Sequence, residues 1–436
     1  MTDLPAAAGP PSEYLSDRPV DPNAIGRVDA VIVGAGPTGQ AMALALAAML
    51  GNEVTIALVD RAPVRPGGGS VAAVDPRVWA LSAASVRFLD ALSVWPAVVT
   101  AAQPVTEIDI TDSRLDAGVR PVLLAYDNTT AEGEPAAWIV PNEVLRSALG
   151  EALARRPPGV VTAWHDDDAA VAGLEKGPAG RRLHLADGRV IDADVVIAAD
   201  GRRSAIRTMA GIGTVRFDHD QLALVTTVDL ERPHHGKAVQ HFLPGGPFAI
   251  LPLPGDRAAI TWSEDRATAE RILAADDGDF SAEVQRRFGG RLGRVTVTGP
   301  RAAFPLATEI ARSFVAERLA LVGDAAHGVH PIAGQGLNLA FRDCAALAEC
   351  LADAAQAGLS LGESDALERY QRWRRFDATL SAGTFQALNR LFSNDVPLLR
   401  SAREVGLGIV DRSAALKRFF VREAAGLSGD LPALMR

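Results

Sequence analysis

The chain has 436 residues, 48% hydrophobic and 22% charged, with 27 Pro and 40 Gly. That balance belongs to a globular protein of two or three domains and excludes a disordered or fibrous chain. The formal net charge of −9 argues against nucleic acid as a partner, because gripping phosphates needs a basic surface. The longest uninterrupted apolar run, Ala41–Leu50, is ten residues. A bilayer-crossing helix needs about 20, so none is expected.

In chain order, residues 1–26 read as a disordered leader. They are rich in Pro, Ala and acidic residues and lack the basic start and apolar core of a secretory signal. Val28–Val33 is a strand, Gln40–Leu50 an apolar helix, and Glu53–Asp60 a second strand, which together make a βαβ unit. Pro66–Ser70 is a glycine-rich loop, and Asp75–Trp95 carries helical periodicity. Val105–Leu123 and Leu222–Trp262 alternate apolar and polar residues, the pattern of antiparallel strands. Between them, Asn142–Arg155 is a helix, and Arg182–Ala199 is a hairpin turning at Asp187-Gly188 into a buried strand. Asp166–Asp168 reads as a solvated loop, Arg318–Val322 as another buried strand, and the chain from Leu337 onward as mostly helix. Cys344 and Cys350, six apart in one predicted helix, point to different faces, so no disulfide or metal pair is expected. Two thiols in so long a chain suit a reducing compartment.

This order predicts an α/β fold in which a Rossmann-like nucleotide-binding domain is assembled from residues 27–104, 142–210 and 300–368. An antiparallel β-sheet domain is inserted twice, at 105–141 and 211–299, and 369–436 forms a C-terminal helical region.

Gly34-x-Gly36-x-x-Gly39 follows the first strand and opens the helix. Gly34 permits the tight turn, Gly36 lets the backbone approach a pyrophosphate, and Gly39 lets helix and strand pack closely. The helix N-terminus supplies unpaired N–H groups and a favourable dipole for phosphate. Asp60 comes 21 residues after Gly39, where a carboxylate can accept from a ribose 2′-OH. Its charge disfavours a 2′-phosphate in this crevice. Asp200-Gly201 follows one buried strand, and Gly323-Asp324 follows another. Asp324 suits sugar-like hydroxyls. The Gly336, Leu337 and Asn338 amides open a helix that can aim at an anion or a carbonyl oxygen.

The three segments together resemble the class A FAD-dependent aromatic monooxygenases, the para-hydroxybenzoate hydroxylase fold. Ala326–Leu339 followed by Arg342-Asp343 is similar to the ubiquinone-biosynthesis hydroxylases within that class, as are Asp75–Leu81, Gln240-His241-Phe242, Gly246-Pro247, Leu251-Pro252 and Arg390–Ser393. The resemblance covers about residues 27–427 and implies a three-layer ββα FAD domain with a β-sheet substrate domain. One departure is Pro141-Asn142, where such proteins often have Glu-Asn. The resemblance assigns Gly34, Gly36, Gly39 and Asp60 to the ADP half of FAD, and Arg77 to the pyrophosphate and ribityl chain. It assigns Asp324 to the ribityl hydroxyls, Gly336, Leu337 and Asn338 to the flavin pyrimidine, and Asp200 to the phosphate region and NAD(P)H docking. Pro331, Gly334 and Gln335 fall in the loop near the flavin.

The implied reaction uses NADH or NADPH and O₂ to hydroxylate an aromatic ring through a flavin C4a-hydroperoxide. Such a species survives only where water is excluded. No general base is identifiable, so the catalytic residues stay unassigned. The implied substrate is an apolar aromatic, a polyprenyl phenol of ubiquinone biosynthesis. A small soluble aromatic, or a non-catalytic flavoprotein scaffold in a biosynthetic complex, are the alternatives. Phe242 and Trp262 are candidates to line the substrate cavity, against the plainer reading of core aromatics. His327 and His330 lie three apart, but no metal site is expected, since a Gly/Pro loop suits a flavin cradle better. Residues 369–423 hold 11 Lys and Arg against 5 Asp and Glu, with Trp373, Phe376, Phe385, Phe392, Phe419 and Phe420. An amphipathic bundle explains that composition, and so does a surface that docks on anionic lipid or on partner enzymes. The expected location is cytoplasmic, with peripheral attachment to the inner membrane face as the variant.

Overall fold

The computed structural model describes residues 24–61, 75–112, 115, 120–165, 169–178, 180–243, 245–328, 335–392 and 413–436. The leader up to residue 23, Pro66–Ser70, Asp166–Asp168, His330, Pro331 and Gly334 lie outside them; Ala24–Gly26 already belong to the first strand.

Three sheets organise the molecule. The first runs Val315–Ala316, Leu319–Leu321, Val190–Ala198, Ala24–Val33, Ile56–Asp60 and Val161–His165. Its last five strands are parallel. Val31, Ile32, Val196 and Ile197 are wholly buried, as strands covered on both faces must be. The apolar helix Pro37–Leu50 packs against it and against the helices Asn142–Ala154 and Gln335–Gln356. The hairpin at Asp187-Gly188 joins Gly180–Leu185 to Val190–Ala198, as the sequence predicts.

The second sheet has nine strands, all antiparallel except one pairing: Lys237–Leu243 runs parallel to Glu107–Asp112. Its long central strand, Thr214–Leu230, lies between Arg257–Asp265 and Ala302–Ala311. The sheet therefore reaches past the boundary expected at residue 299, because Ala302–Ala311 finds its hydrogen-bond partners here. Helices Arg266–Ala274 and Asp277–Phe288 cover one face.

A third, three-stranded sheet joins Val78–Ser82, Ala137–Pro141 and Gln103–Val105. It corrects the reading of Asp75–Trp95 as helical. Val78–Ser82 is a strand, and the helix begins only at Ala83, where the Ser82 hydroxyl accepts from the Ser85 N–H. Five residues are too few for periodicity to separate strand from helix.

Three helices, Gln335–Gln356, Ser364–Phe392 and Ala414–Ala424, lie toward the C-terminus. After the third, the chain returns across the earlier ones. Ala84 N–H donates to Ala425 O (3.0 Å), Arg342 Nη2 donates to Ser428 O (2.7 Å), and Ala433 N–H donates to Glu349 Oε2 (2.6 Å). Among the described residues no single helix is long and apolar enough to cross a membrane.

Candidate active site

The glycine loop is built as its spacing demands. Gly34 has φ +105°, and a Cβ there would sit 2.4 Å from Ala199 O; a Cβ on Gly39 would sit 1.7 Å from Gly34 O. Both positions therefore exclude any side chain. A Cβ on Gly36 would meet nothing within 4 Å, so that backbone is open to a ligand, and no side chain caps the helix it precedes. Asp60 Oδ2 accepts from the Ala35 N–H at 2.6 Å. The acid thus shapes the loop from within as well as standing at the strand's end.

Two further segments converge on this loop from neighbouring strands. Gly34 touches Ala199 and Asp200. Asp200 accepts from the Ile206 N–H with Oδ2 (3.2 Å), whereas its Oδ1 is buried without a hydrogen-bond partner. A buried orphan acceptor signals a missing donor. Gly323, at φ +58°, packs against Thr38 of the first helix and Ala340. Beside it, Asp324 is held by Arg202 Nε at 3.2 Å, with its carboxylate 43% exposed.

Beneath Asp324 lies a buried ionic cluster that sequence reading left unassigned. Asp343 Oδ2 accepts from the Gly323 N–H (3.0 Å) and from His327 Nε2 (2.5 Å), and Oδ1 accepts from Arg374 Nε (2.8 Å). One carboxylate thereby holds both ends of the turn that presents Asp324. Burial opposes its charge, but the His327 and Arg374 partners hold its carboxyl below the usual range. Arg207 Nη1 adds a bond to Ala325 O at 2.9 Å. His327 is thus engaged with Asp343. The resemblance covers both His327 and Asp343 without linking them, and Arg374 carries no sequence signal.

Arg77 is clamped by Asp75 (2.5 Å) and lies 5.2 Å over the Phe304 ring. Asn142 donates to Asp75 (2.9 Å) and accepts from Trp79 Nε1 (2.8 Å). Its side chain therefore stiffens the Arg77 segment. Asn338 also works through its side chain: Oδ1 accepts from the Ser82 N–H (2.9 Å) and Ser85 Oγ (2.8 Å), and Nδ2 donates to Ala80 O (2.9 Å). These bonds pin the Arg77 strand to the first turn of the Gln335–Gln356 helix and leave the Gly336 and Leu337 backbone at the helix mouth. The helix opens at Gln335, two residues before the Leu337 expected.

The nine-stranded sheet presents one face to this assembly. Val239, Leu243, Phe248, Ile260 and Trp262 pack with Phe280 and Phe288 of the covering helix. By alternation, Ala238, Gln240 and Phe242 face the other way, and Ala238 indeed packs with Val105 and Ile139 of the three-stranded sheet. Phe304 confirms the side, since Ser263, Ala223 and Phe304 are successive cross-strand neighbours and Arg77 stacks on Phe304. Phe242 is therefore on the face toward the glycine loop's domain. Trp262 is not: it stacks on Phe248 and Phe280 at centroid distances of 5.5 and 6.1 Å and belongs to the outer core. Its expected place in the substrate cavity is corrected, because burying a large aromatic under the helices fixes that strand's orientation.

The cradle fits FAD. Gly36 leaves its backbone open at an uncapped helix N-terminus, Asp200 Oδ1 is buried without a donor, and the Asp324 carboxylate beside them is partly exposed. A family model described as FAD binding domain matches residues 27–379. Ubiquinone hydroxylase UbiL of Rhodospirillum rubrum is 40% identical over 99% of this chain and 97% of its own. The 3-demethoxyubiquinol 3-hydroxylase of Escherichia coli is 34% identical over 91% and 98%. In fold, the chain is similar to p-nitrophenol 4-monooxygenase PnpA of Pseudomonas putida (TM-score 0.75, 19% identity, 93% and 99% covered). It is also similar to PqsL of Pseudomonas aeruginosa (TM-score 0.73, 24%, 88% and 99%). With the three cofactor segments brought to one crevice, these likenesses make the chain a member of the FAD-binding-domain family, among the class A FAD-dependent aromatic monooxygenases of the ubiquinone-biosynthesis hydroxylase group.

Proposed function

We propose that this protein hydroxylates the ring of a polyprenyl phenol in ubiquinone biosynthesis, using NAD(P)H and O₂. The observation that supports it most is the apolar inner face of the nine-stranded sheet, where Ala238, Leu251, Leu253 and Ala259 meet Val105 and Ile139 and which Phe242 shares by strand alternation. FAD, when bound and reduced, activates O₂ for transfer to an electron-rich ring. The chain's own residues do the rest. The Pro37–Leu50 N-terminus and Gly36 backbone hold the pyrophosphate, Asp60 the ribose, Asp200 and Arg77 the phosphate and ribityl region, and Asp324 the ribityl hydroxyls. The Gly336–Asn338 amides face the pyrimidine edge, where reduction places negative charge that N–H donors stabilise. The inner face of the sheet holds the ring and keeps water away. Anaerobic reduction of the holoenzyme by NADH and by NADPH, followed at the flavin absorbance, tests this reading. Faster reduction with a prenylated phenol than with a small carboxylated one supports it; the reverse order favours a soluble aromatic.

The C-terminal region suits a lipid surface that delivers such a substrate. Helix Ala414–Ala424 leaves Leu416, Phe419 and Phe420 exposed beside Arg418 and Arg422, and Phe376 of the preceding helix is also exposed. Aromatic and basic residues on one short helix match the interface of an anionic membrane, which supports peripheral attachment at the inner membrane face. Flotation with anionic liposomes tests it, and absence of binding at low salt counts against it.

A further inference from the structure

Five strands carry a row of directly opposed residues across the inner face. Ile110 opposes Gln240, Gln240 opposes Ala249, Ala249 opposes Thr261, and Thr261 opposes Val225. Opposed residues share a face, so all five line the side that Phe242 and Phe304 occupy. Ile110, Gln240, Ala249 and Thr261 remain partly accessible, unlike their sealed neighbours Val239, Phe248, Ile250 and Ile260 on the other side. The row is apolar at its ends, with the small Ala249 at its centre.

Gln240 is out of place in such a row. Its amide Nε2 is buried and has no hydrogen-bond partner. A buried amide donor left unpaired is costly and uncommon in folded proteins. An apolar residue of similar length would have packed there without that cost. The donor stands on the same strand face as Phe242, two residues away, at the distance over which one ring can touch both.

We infer that Gln240 is a substrate-anchoring residue: its amide N–H donates to the oxygen already on the aromatic ring, while Phe242 and the small residues of the row hold the ring and its chain. This inference rests on the hydroxylase reading above and adds to it the group that recognises the ring oxygen. Gln240 performs no bond-making step. It fixes which edge of the ring faces the flavin, and so selects phenols over hydrocarbons of the same shape. A site that offers a buried donor rejects the analogue lacking the oxygen, because the donor then stays unpaired.

The test uses FAD-loaded protein titrated with 2-geranylphenol and with geranylbenzene, each binding read from the perturbation of flavin absorbance. Wild type is expected to bind the phenol at least about tenfold more tightly. Gln240→Met, which keeps the volume and removes the donor, is expected to bring the two dissociation constants within about twofold. Its affinity for geranylbenzene should equal that of wild type or improve. A structural role would weaken both ligands alike. Thr261→Val, next but one in the row, should leave the preference in place. If Gln240→Met keeps the phenol preference, or Thr261→Val abolishes it, the inference is overturned while the hydroxylase reading stands. A wild type perturbed by neither ligand overturns both. Should Gln240→Met fail to retain FAD, Gln240→Leu carries the same comparison with the same expected and overturning results.

Discussion

The two faces of the nine-stranded sheet are built from the same strands and have opposite characters. The outer face carries Phe248, Ile260 and Trp262 locked against Phe280, Val284 and Phe288, with Arg287 over the Trp262 ring at 5.8 Å. The inner face mixes the apolar Ile110, Phe242, Leu251, Leu253 and Phe304 with the small or polar Ala249, Ala259, Thr261, Ser263 and Gln240, and several of these stay partly accessible. Large residues on one side fix strand register, since a one-residue slip would turn them all toward the cradle. That rigidity frees the other side to carry small and polar residues among its apolar ones. Stability and recognition thus occupy alternate positions along the same segments.

The contrast can be broken from its rigid side first. Trp262→Ala should lower stability by about 4 kcal/mol, read by denaturant unfolding. Protein that stays folded should still bind 2-geranylphenol, because the residue faces away from the site. A stable variant with lost ligand binding would invert the assignment of faces. His241, also on the outer face, stacks on Phe248 at 6.3 Å and bonds Thr111. Burial pushes its imidazole down to about 4 from 6.5, with the nearby Arg120 adding to the effect. Between those values the unfolded chain binds a proton that the folded protein refuses. Stability should therefore fall as pH drops from about 6.5 to about 4, by roughly 3 kcal/mol in all. The pH profile of His241→Phe should be flatter across this window, and identical profiles would count against a buried neutral imidazole.

From the inner side the effects should be on ligands. Ala249→Phe adds a large side chain at a partly accessible position of the row, so stability should change by no more than about 1 kcal/mol. Affinity for the prenylated phenol should fall by about tenfold or more, read by flavin absorbance. The smallest effect belongs to the contact joining the inner face to the cradle. Arg77 over Phe304 should contribute about 0.5–1 kcal/mol, measured as the coupling in a cycle of Arg77→Met and Phe304→Leu. A coupling of zero would show the stacking to be incidental.

Much of this was legible before the structure. Gly34, Gly36, Gly39 and Asp60 are fixed by local spacing, and the βαβ unit around them carries its own pattern of apolar runs. The buried strands at Asp194–Ala199 and Arg318–Val322 stood out for the same reason, though their bounds moved by a few residues. What could not be read was pairing across distance. Ala302–Ala311 looks like any short strand until Thr214–Leu230 is beside it. Val78–Ser82 is too brief for its period to be told. Asp343 and Arg374 form a buried pair across two helices, and no spacing announces it. Phe242 and Trp262 were equal candidates in sequence, and only the alternation along two different strands separates them. The Asn338 side-chain bonds to Ser82, Ser85 and Ala80 were equally hidden, since those partners lie some 250 residues away.

The return of residues 425–433 over helices Ala83–Ala91 and Gln335–Gln356 has a consequence for biogenesis. Those residues leave the ribosome long after the glycine loop and after the Asp324 turn. Until they arrive, the Ala84 N–H and the Arg342 guanidinium lack the Ala425 and Ser428 carbonyls that they bond in the finished fold. Docking of this last segment on the two helices is therefore a post-translational event, which can be completed only once synthesis has passed residue 433.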